Sequence, residues 1–243
     1  MFESVGEGDA DCCVAPIENS LAGSIHRNYD LLLASDLTIA GETNLRIVHS
    51  LIAPADVQLA DVRRVYSHPV ALAQCAKFLG AHPEIEPVPV HDTAGAVRLV
   101  MERGRTDEAG IASENAASIY GGQVLARGIE DHPRNYTRFL LLVPPRGVGS
   151  IEGREAARRW KTSIVFRTAN KPGALFRALG AFALLEVDLT RIESRPIEGR
   201  PWEYAFYLDA VGKQADPAMT RALGNLEQMA EMVRVLGSYP TRW

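Results

Sequence analysis

A Pro-Pro-Arg-Gly turn at residues 144–147, followed by the polar, aperiodic stretch 152–159, interrupts two regions of regular hydrophobic patterning. Such a break divides the chain into 1–145, a linker over 146–160, and 161–243, one larger and one smaller domain. In the smaller domain the spacing predicts a strand over 162–167, then a helix over 174–183 with Leu175, Leu179 and Phe182 inward, then a strand over 187–192. Trp202, Tyr204, Phe206, Leu208 and Ala210 alternate along a third strand; Met219, Leu223, Leu226 and Met229 mark a second helix, and 233–236 a last strand. That order, βαββαβ, is the ferredoxin-like α+β arrangement.

The larger domain alternates strands with helices and predicts an α/β sheet with parallel pairing. Residues 2–9 are acidic and glycine-rich, and 10–15 read as a short buried strand stopped by Pro16. Asn19 or Ser20 is placed to cap a helix that buries Ile25, Tyr29, Leu32 and Leu33. Residues 37–40 and then Leu45, Ile47, His49, Leu51 and Ala53 suggest one long strand or two in series. Val65 and Tyr66 form a strand, and Ser67 or His68 caps a helix with Pro69 in its first turn and Ala71, Leu72, Cys75, Phe78 and Leu79 as its buried stripe. Asp92 or Thr93 opens a helix with Val97, Val100 and Met101 inward; a strand over 109–112 leads to a helix capped by Ser113 and stopped by Gly121; a strand over 137–143 closes the domain.

With 26 basic and 30 acidic residues, the formal charge of −4 supplies no field for a polyanion, so no nucleic acid partner is expected. No uncharged apolar run approaches a span of about 18 residues, and the amino terminus lacks a basic region followed by an apolar one, so neither a membrane nor export is indicated. Cys12, Cys13 and Cys75 are too few for a disulfide framework, which fits a reducing cytoplasm. No zinc-type spacing, phosphate-binding glycine loop or nucleophile elbow occurs, and no metal or cofactor is expected.

Polar clusters sit where elements meet: Glu18-Asn19-Ser20, Ser67-His68-Pro69 with Gln74, Asp92-Thr93, Ser113-Glu114-Asn115 and Asn135-Tyr136-Thr137-Arg138. In α/β sheets such loops gather at one edge and carry ligands. Each taken alone is equally a helix cap, a turn or a strand start. Arg138 is harder to account for that way, because the run Phe139-Leu140-Leu141-Leu142-Val143 places it at the mouth of a buried strand. A guanidinium there needs a carboxylate, from the protein or from a ligand.

Together these stretches resemble the prephenate dehydratase family: the segment from Ala10 to Ser20 with Gly23, Ser67-His68-Pro69 with Ala73-Gln74-Cys75, Asp92-Thr93-Ala94, Asn135 to Phe139, Gly173-Ala174-Leu175-Phe176 and Glu193-Ser194-Arg195-Pro196. The resemblance implies a two-lobed catalytic domain like a periplasmic binding protein, over 1–145, and an ACT regulatory domain over 161–243. It implies conversion of prephenate to phenylpyruvate with loss of CO2 and water, in phenylalanine biosynthesis, with arogenate dehydration or a catalytically inactive phenylalanine-binding regulator as alternatives. Carried onto this sequence, it assigns Thr137, Arg138, Glu18, Asn19 and Gln74 to catalysis and Ser20, Ser67, His68, Thr93 and Phe139 to substrate binding. Prephenate has two carboxylates, so Arg138 would anchor one while the other departs from poorly solvated surroundings. Thr137 would hydrogen-bond the leaving hydroxyl, and Asn19 and Gln74 would align the dianion as neutral donors. L-Phenylalanine as effector is assigned to Asn170, Gly173, Ala174, Leu175, Glu193, Ser194, Arg195 and Pro196, between two ACT domains, which implies a homodimer or homotetramer. Family members carry a Gly-x2-Gly-Thr-[Phe/Tyr]-Ser segment ahead of the first strand seen here, so the sequence reads as truncated at its start; Val70 and Gly122 are smaller departures.

Overall fold

The structure, a computed structural model, describes residues 1–150 and 159–241. In chain order the elements are α1 (Phe2–Glu7), β1 (Cys13–Asn19), β2 (Gly23–Ser24), α2 (His26–Ala34), β3 (Thr38–Arg46), β4 (Ser50–Ala53), β5 (Arg64–Ser67), α3 (Pro69–Gln74), α4 (Ala76–Ala81), β6 (Glu86–Pro89), α5 (Thr93–Arg103), β7 (Glu108–Ala112), α6 (Glu114–Tyr120), β8 (Gln123–Arg127) and β9 (Tyr136–Val143). After a 3-10 turn at Pro145–Ser150 come β10 (Arg159–Arg167), α7 (Ala174–Ala183), β11 (Leu189–Ile197), β12 (Arg200–Val211), α8 (Pro217–Glu227) and β13 (Met232–Thr241). The chain forms two compact units.

The first unit joins Met1–Asn19, Gly23–Asn44 and the chain from Arg138 onward, so the carboxy-terminal βαββαβ module is grouped with the first strands rather than set apart at the linker. The linker expected over 146–160 falls mostly on residues 151–158, outside those described, and β10 already begins at Arg159. The unit has one sheet in the order β2-β1-β9-β3 and one in the order β11-β12-β10-β13. All pairs in the second sheet are antiparallel. Its strands alternate between two cores, as the period of two requires. Ile164, Phe166 and Leu208 pack on Ala178, Phe182, Met219 and Leu226 from α7 and α8. Val165, Ala205, Tyr207, Leu236 and Tyr239 instead pack with Ile17, Tyr29, Leu32, Ile39, Leu140 and Leu142. Both faces of that sheet are therefore covered. At Gly237 the approach is so close that a Cβ would lie 2.2 Å from the Ile39 carbonyl oxygen.

Arg138 lies at this second face. Its Nη1 is 2.5 Å from Asp209 Oδ2, its Nη2 is 2.6 Å from Glu42 Oε2 and donates to Tyr239 Oη at 3.1 Å, and Nε donates to Glu42 at 2.7 Å. Lys161 Nζ is 2.9 Å from the other Glu42 oxygen, and Ser163 Oγ donates to Asp209 Oδ1 at 2.5 Å. Two cations thus face two carboxylates. Burial alone would lower the Arg138 pKa, but Asp209, Tyr239 and Glu42 raise it above the ordinary guanidinium range, so the charge is permanent.

The second unit, Ser20–Ala22 with Leu45–Thr137, holds a five-stranded sheet in the order β6-β5-β7-β4-β8. Parallel pairing is confined to β5 with β6 and β7, which are joined through helices; β4 runs antiparallel to both β7 and β8. Helix α5 lies so tightly on β7 that a Cβ at Gly110 would be 3.0 to 3.2 Å from Val97 atoms. The parallel pairing expected of an α/β domain is thus found at β5, β6 and β7, with β4 and β8 added antiparallel.

Several boundaries also differ. Residues 2–7 form a helix, with Phe2 and Val5 buried one turn apart. Pro16 does not stop β1: its fixed φ suits an extended chain, and its carbonyl accepts from Asn28 Nδ2 at 2.6 Å. Helix α2 starts after Ile25, because β2 intervenes, so neither Asn19 nor Ser20 is its cap. The helix expected across Cys75 breaks there at ψ 24°, giving α3 and α4.

Replacing Arg138 by Met leaves Asp209 and Glu42 short of a buried cation and should cost about 3 to 5 kcal/mol in urea unfolding. A loss under about 1 kcal/mol would place the pair among weak surface contacts.

Candidate functional site

The residues singled out from the sequence fall into both units. In the second unit, Gln74 ends α3 and its backbone carbonyl accepts from Asp131 N–H at 2.7 Å. Its side-chain Oε1 lies 2.9 Å from His49 Nε2 and accepts from Asn135 Nδ2 at 3.0 Å. Asn135 is fully buried, and its carbonyl accepts from Ile47 N–H at 2.8 Å. His49, also buried, donates its backbone N–H to Glu130 Oε2 at 2.9 Å. Thr137, two residues beyond Asn135, is buried in β9. Ser20 Oγ donates to the Arg134 carbonyl at 3.1 Å and accepts from Tyr136 N–H at 2.9 Å, while Ser20 N–H donates to the Tyr136 carbonyl at 2.8 Å. Gln74, Asn135, Thr137 and Ser20 thus converge on the segment leading into β9. Sequence reasoning passed over His49 and Glu130; the signal for His49 is a histidine inside an alternating apolar run.

Three other residues of this unit are explained by local structure. Ser67 is completely buried and donates to the Ile111 carbonyl at 2.6 Å, tying β5 to β7. His68 caps α3, its Nδ1 accepting from Val70 N–H at 3.2 Å. Thr93 is the first residue of α5, and the cap is Asp92.

In the first unit, Glu18 and Asn19 end β1, and Arg138 and Phe139 lie on β9. Glu18 is paired with Arg191, which also donates to Ser24 Oγ at 2.7 Å and stands 5.2 Å over the Tyr29 ring. Both charged residues have protein partners: Arg138 is engaged by Glu42 and Asp209, and Glu18 by a cation from β11. Of the two carboxylate sources left open for Arg138, the protein supplies Glu42 and Asp209.

The residues assigned to an effector separate by face. Asn170 and Gly173 are exposed, Gly173 has φ 74°, and Ala174 and Leu175 open α7. Along β11, Glu193 and Arg195 point the same way as Arg191: Ser24 Oγ donates to Glu193 at 2.5 Å, and Arg195 makes a two-pronged pair with Asp30 at 2.8 and 3.0 Å. Ser194 and Pro196 face out.

Residues 1–146 match the family model described as prephenate dehydratase, and residues 162–228 the one described as ACT domain. The chain belongs to the prephenate dehydratase family. It is 45% identical to arogenate dehydratase/prephenate dehydratase 2, chloroplastic, of Arabidopsis thaliana, over 98% of this chain and 64% of that protein. The chain spans just under two thirds of the length of the curated relatives it matches, 64% and 63% for two of them. A crystal structure of prephenate dehydratase from Arthrobacter aurescens in complex with L-Phe superposes with a TM-score of 0.87 at 35% identity, covering 99% of this chain and 78% of that one. A structure described as GqqA, a novel type of quorum quenching acylase, gives 0.86 at 36%, over 99% and 85%. The fold is accordingly the family's catalytic domain, built on two α/β sheets, followed by the ferredoxin-like ACT sheet. Among the described residues no cluster of three or more His, Cys, Asp or Glu could hold a metal, and no helix is long and apolar enough to cross a membrane.

The Cys75 thiol is pushed up to about 12 by burial, reinforced by Asp131 and Glu130, whereas Cys12 is exposed. In the folded protein a thiol reagent at pH 8 should label Cys12 rapidly and leave Cys13 and Cys75 until denaturant is added. Fast labelling of all three would contradict this packing.

Proposed function

We propose that this chain catalyses the decarboxylative dehydration of prephenate to phenylpyruvate, feedback-regulated by L-phenylalanine. The observation that carries the reading is the buried Thr137 following Asn135 in a unit where Asn135 and His49 bind the Gln74 carboxamide oxygen. In the reaction, the bond from the ring to one carboxylate breaks and CO2 leaves. Its electron pair enters the ring, which becomes aromatic as the hydroxyl departs with a proton as water. A threonine hydroxyl is too weak an acid to supply that proton itself, so Thr137 orients and hydrogen-bonds the leaving oxygen while the proton arrives through water or another side chain. Gln74 aligns the dianion as an uncharged side chain. Arg138 enters as a positioning residue that holds β9, and with it Thr137, because Glu42 and Asp209 occupy its guanidinium. Loss of charge with the departing carboxylate is favoured where no cation holds it.

The acylase activity named for one relative would need an activated nucleophile. Ser67 is committed to a main-chain carbonyl and the Cys75 thiol is held protonated at neutral pH, so neither supports it.

For regulation, L-phenylalanine binds beside Gly173 to Leu175 and the Ser194 and Pro196 side of β11, where a second copy of the chain completes the site as a homodimer or homotetramer. Support comes from β11 being an edge strand, from the exposed large apolar residues Phe176 and Trp202, and from the L-Phe named for the Arthrobacter aurescens structure. The inward side of the same strand reaches Glu18 through Arg191, so a shift of β11 on binding is felt at the end of β1.

With prephenate and arogenate supplied side by side, Thr137→Ala should lower product formation at least about 10²-fold. Equal rates remove Thr137 from the mechanism; turnover of arogenate alone reassigns the substrate; phenylalanine binding without turnover of either leaves a regulator. Arg191→Gln should keep phenylalanine binding in calorimetry while raising the concentration for half-inhibition about fivefold or more. Unchanged inhibition would place the coupling elsewhere.

A further inference from the structure

Side chains alternate along β11, and the face opposite Ser194 and Pro196 is spent on one helix. Arg195 donates from Nε and Nη2 to the two Asp30 oxygens at 3.0 and 2.8 Å, a bidentate pair. Glu193 Oε1 lies 3.4 Å from His26 Nε2, and its Oε2 accepts from Ser24 Oγ at 2.5 Å. The spacings match: two residues of strand span roughly 6.6 Å and four of helix roughly 6 Å, so Glu193 and Arg195 meet His26 and Asp30 in register. Arg191, next along the same face, stands 5.2 Å over the Tyr29 ring. Other strands of the module hold the helix too: Tyr207 Oη donates to the Tyr29 carbonyl at 2.9 Å, and Arg234 donates to the carbonyls of Leu33 and Ser35 at 3.1 and 2.6 Å, at the end of α2. Tyr29 and Leu32 in turn share a core with Ile17 of β1, the strand that ends in Glu18 and Asn19.

We propose that Arg195 and Glu193 are positioning residues rather than effector ligands, and that their clasp on Asp30 and His26 makes α2 the helix through which an effector on the opposite face of β11 acts on β1. The inference rests on the phenylalanine regulation proposed above and gives that regulation an element. L-Phenylalanine favours the clasped arrangement, because a strand fixed by a ligand on one face presents fixed partners on the other, and a two-pronged guanidinium–carboxylate contact has one geometry. Breaking the clasp weakens what bound effector does while leaving its binding largely intact.

The test follows L-phenylalanine on the full chain in three ways: affinity by calorimetry, the concentration for half-inhibition of turnover with prephenate and arogenate, and amide exchange along α2 with and without the amino acid. In the wild type, L-phenylalanine should slow exchange in α2 about threefold or more. In Asp30→Asn and in Arg195→Gln the affinity should stay within about threefold, while the half-inhibition concentration rises about fivefold or more and the slowing in α2 disappears. Asp30→Arg combined with Arg195→Asp should bring half-inhibition back to within about threefold of the wild type. Unchanged inhibition in both single variants, unchanged exchange in α2, or no recovery in the exchanged pair overturns the proposal. A fall in affinity that accounts for the whole change in Arg195→Gln makes Arg195 an effector ligand and overturns it as well. If the wild-type chain is not inhibited at all, the regulatory reading fails and the clasp falls with it; a wild type that is inhibited, with variants inhibited alike, sinks the clasp alone.

Discussion

Two cations and two carboxylates lie together where β3 and β9 meet β10, β12 and β13, and the position of the signature strand depends on them. Arg138 alone reaches Glu42, Asp209 and Tyr239; Lys161 and Thr241 complete Glu42, and Ser163 completes Asp209. Burial makes every one of these charges expensive by itself, and only a set that is balanced and hydrogen-bonded throughout is tolerable. Such a set fixes register more than it adds stability. A neutral apolar patch here would let β9 slide against the ACT sheet, whereas a guanidinium fork matched to two carboxylates has one geometry.

Thr137 is the neighbour of Arg138 on that strand, next to a guanidinium whose carboxylate partners both come from the protein. Protein groups likewise engage Gln74, where the backbone is tied to Asp131 and the side chain to His49 and Asn135. Gln74, Asn135 and Thr137 are polar and uncharged, whereas the buried charges of Arg138, Glu42 and Asp209 are paired with one another.

Much of this was legible before coordinates. The ACT module follows strict periods of 2 and 3.6, and its four strands and two helices lie where the alternation places them, with β11 and β13 running further than expected. Helix α5 was marked by Asp92, whose side chain does cap it. The strands that escaped notice, β2, β6 and β8, all lie at sheet edges; β6 carries two prolines in Glu86–Pro89, and an edge strand need not alternate cleanly. The apolar run after Arg138 announced a buried guanidinium in need of a carboxylate, but nothing local could say whose. Glu42 and Asp209 are 96 and 71 residues away in sequence, and such pairings are set by the meeting of two sheets. Membership in the family was readable from six short strings; the hydrogen bonds of His49 to Gln74 and Glu130 were not, because they join residues 25 and 81 apart in sequence.

Covering the ACT sheet on both faces has a further implication for how such a chain can be taken apart. Val165, Tyr207, Leu236 and Tyr239 would be stripped of their apolar neighbours if the regulatory half were excised, and Ile17, Leu140 and Leu142 would be stripped in turn. Asp209 would lose its counter-ion, and Arg138 would keep Glu42 but lose Asp209 and Tyr239. ACT modules therefore cannot be traded between homologues at the interdomain tether alone; a folded chimaera has to bring β3 and β9 along with its new ACT module, or redesign that seam residue by residue.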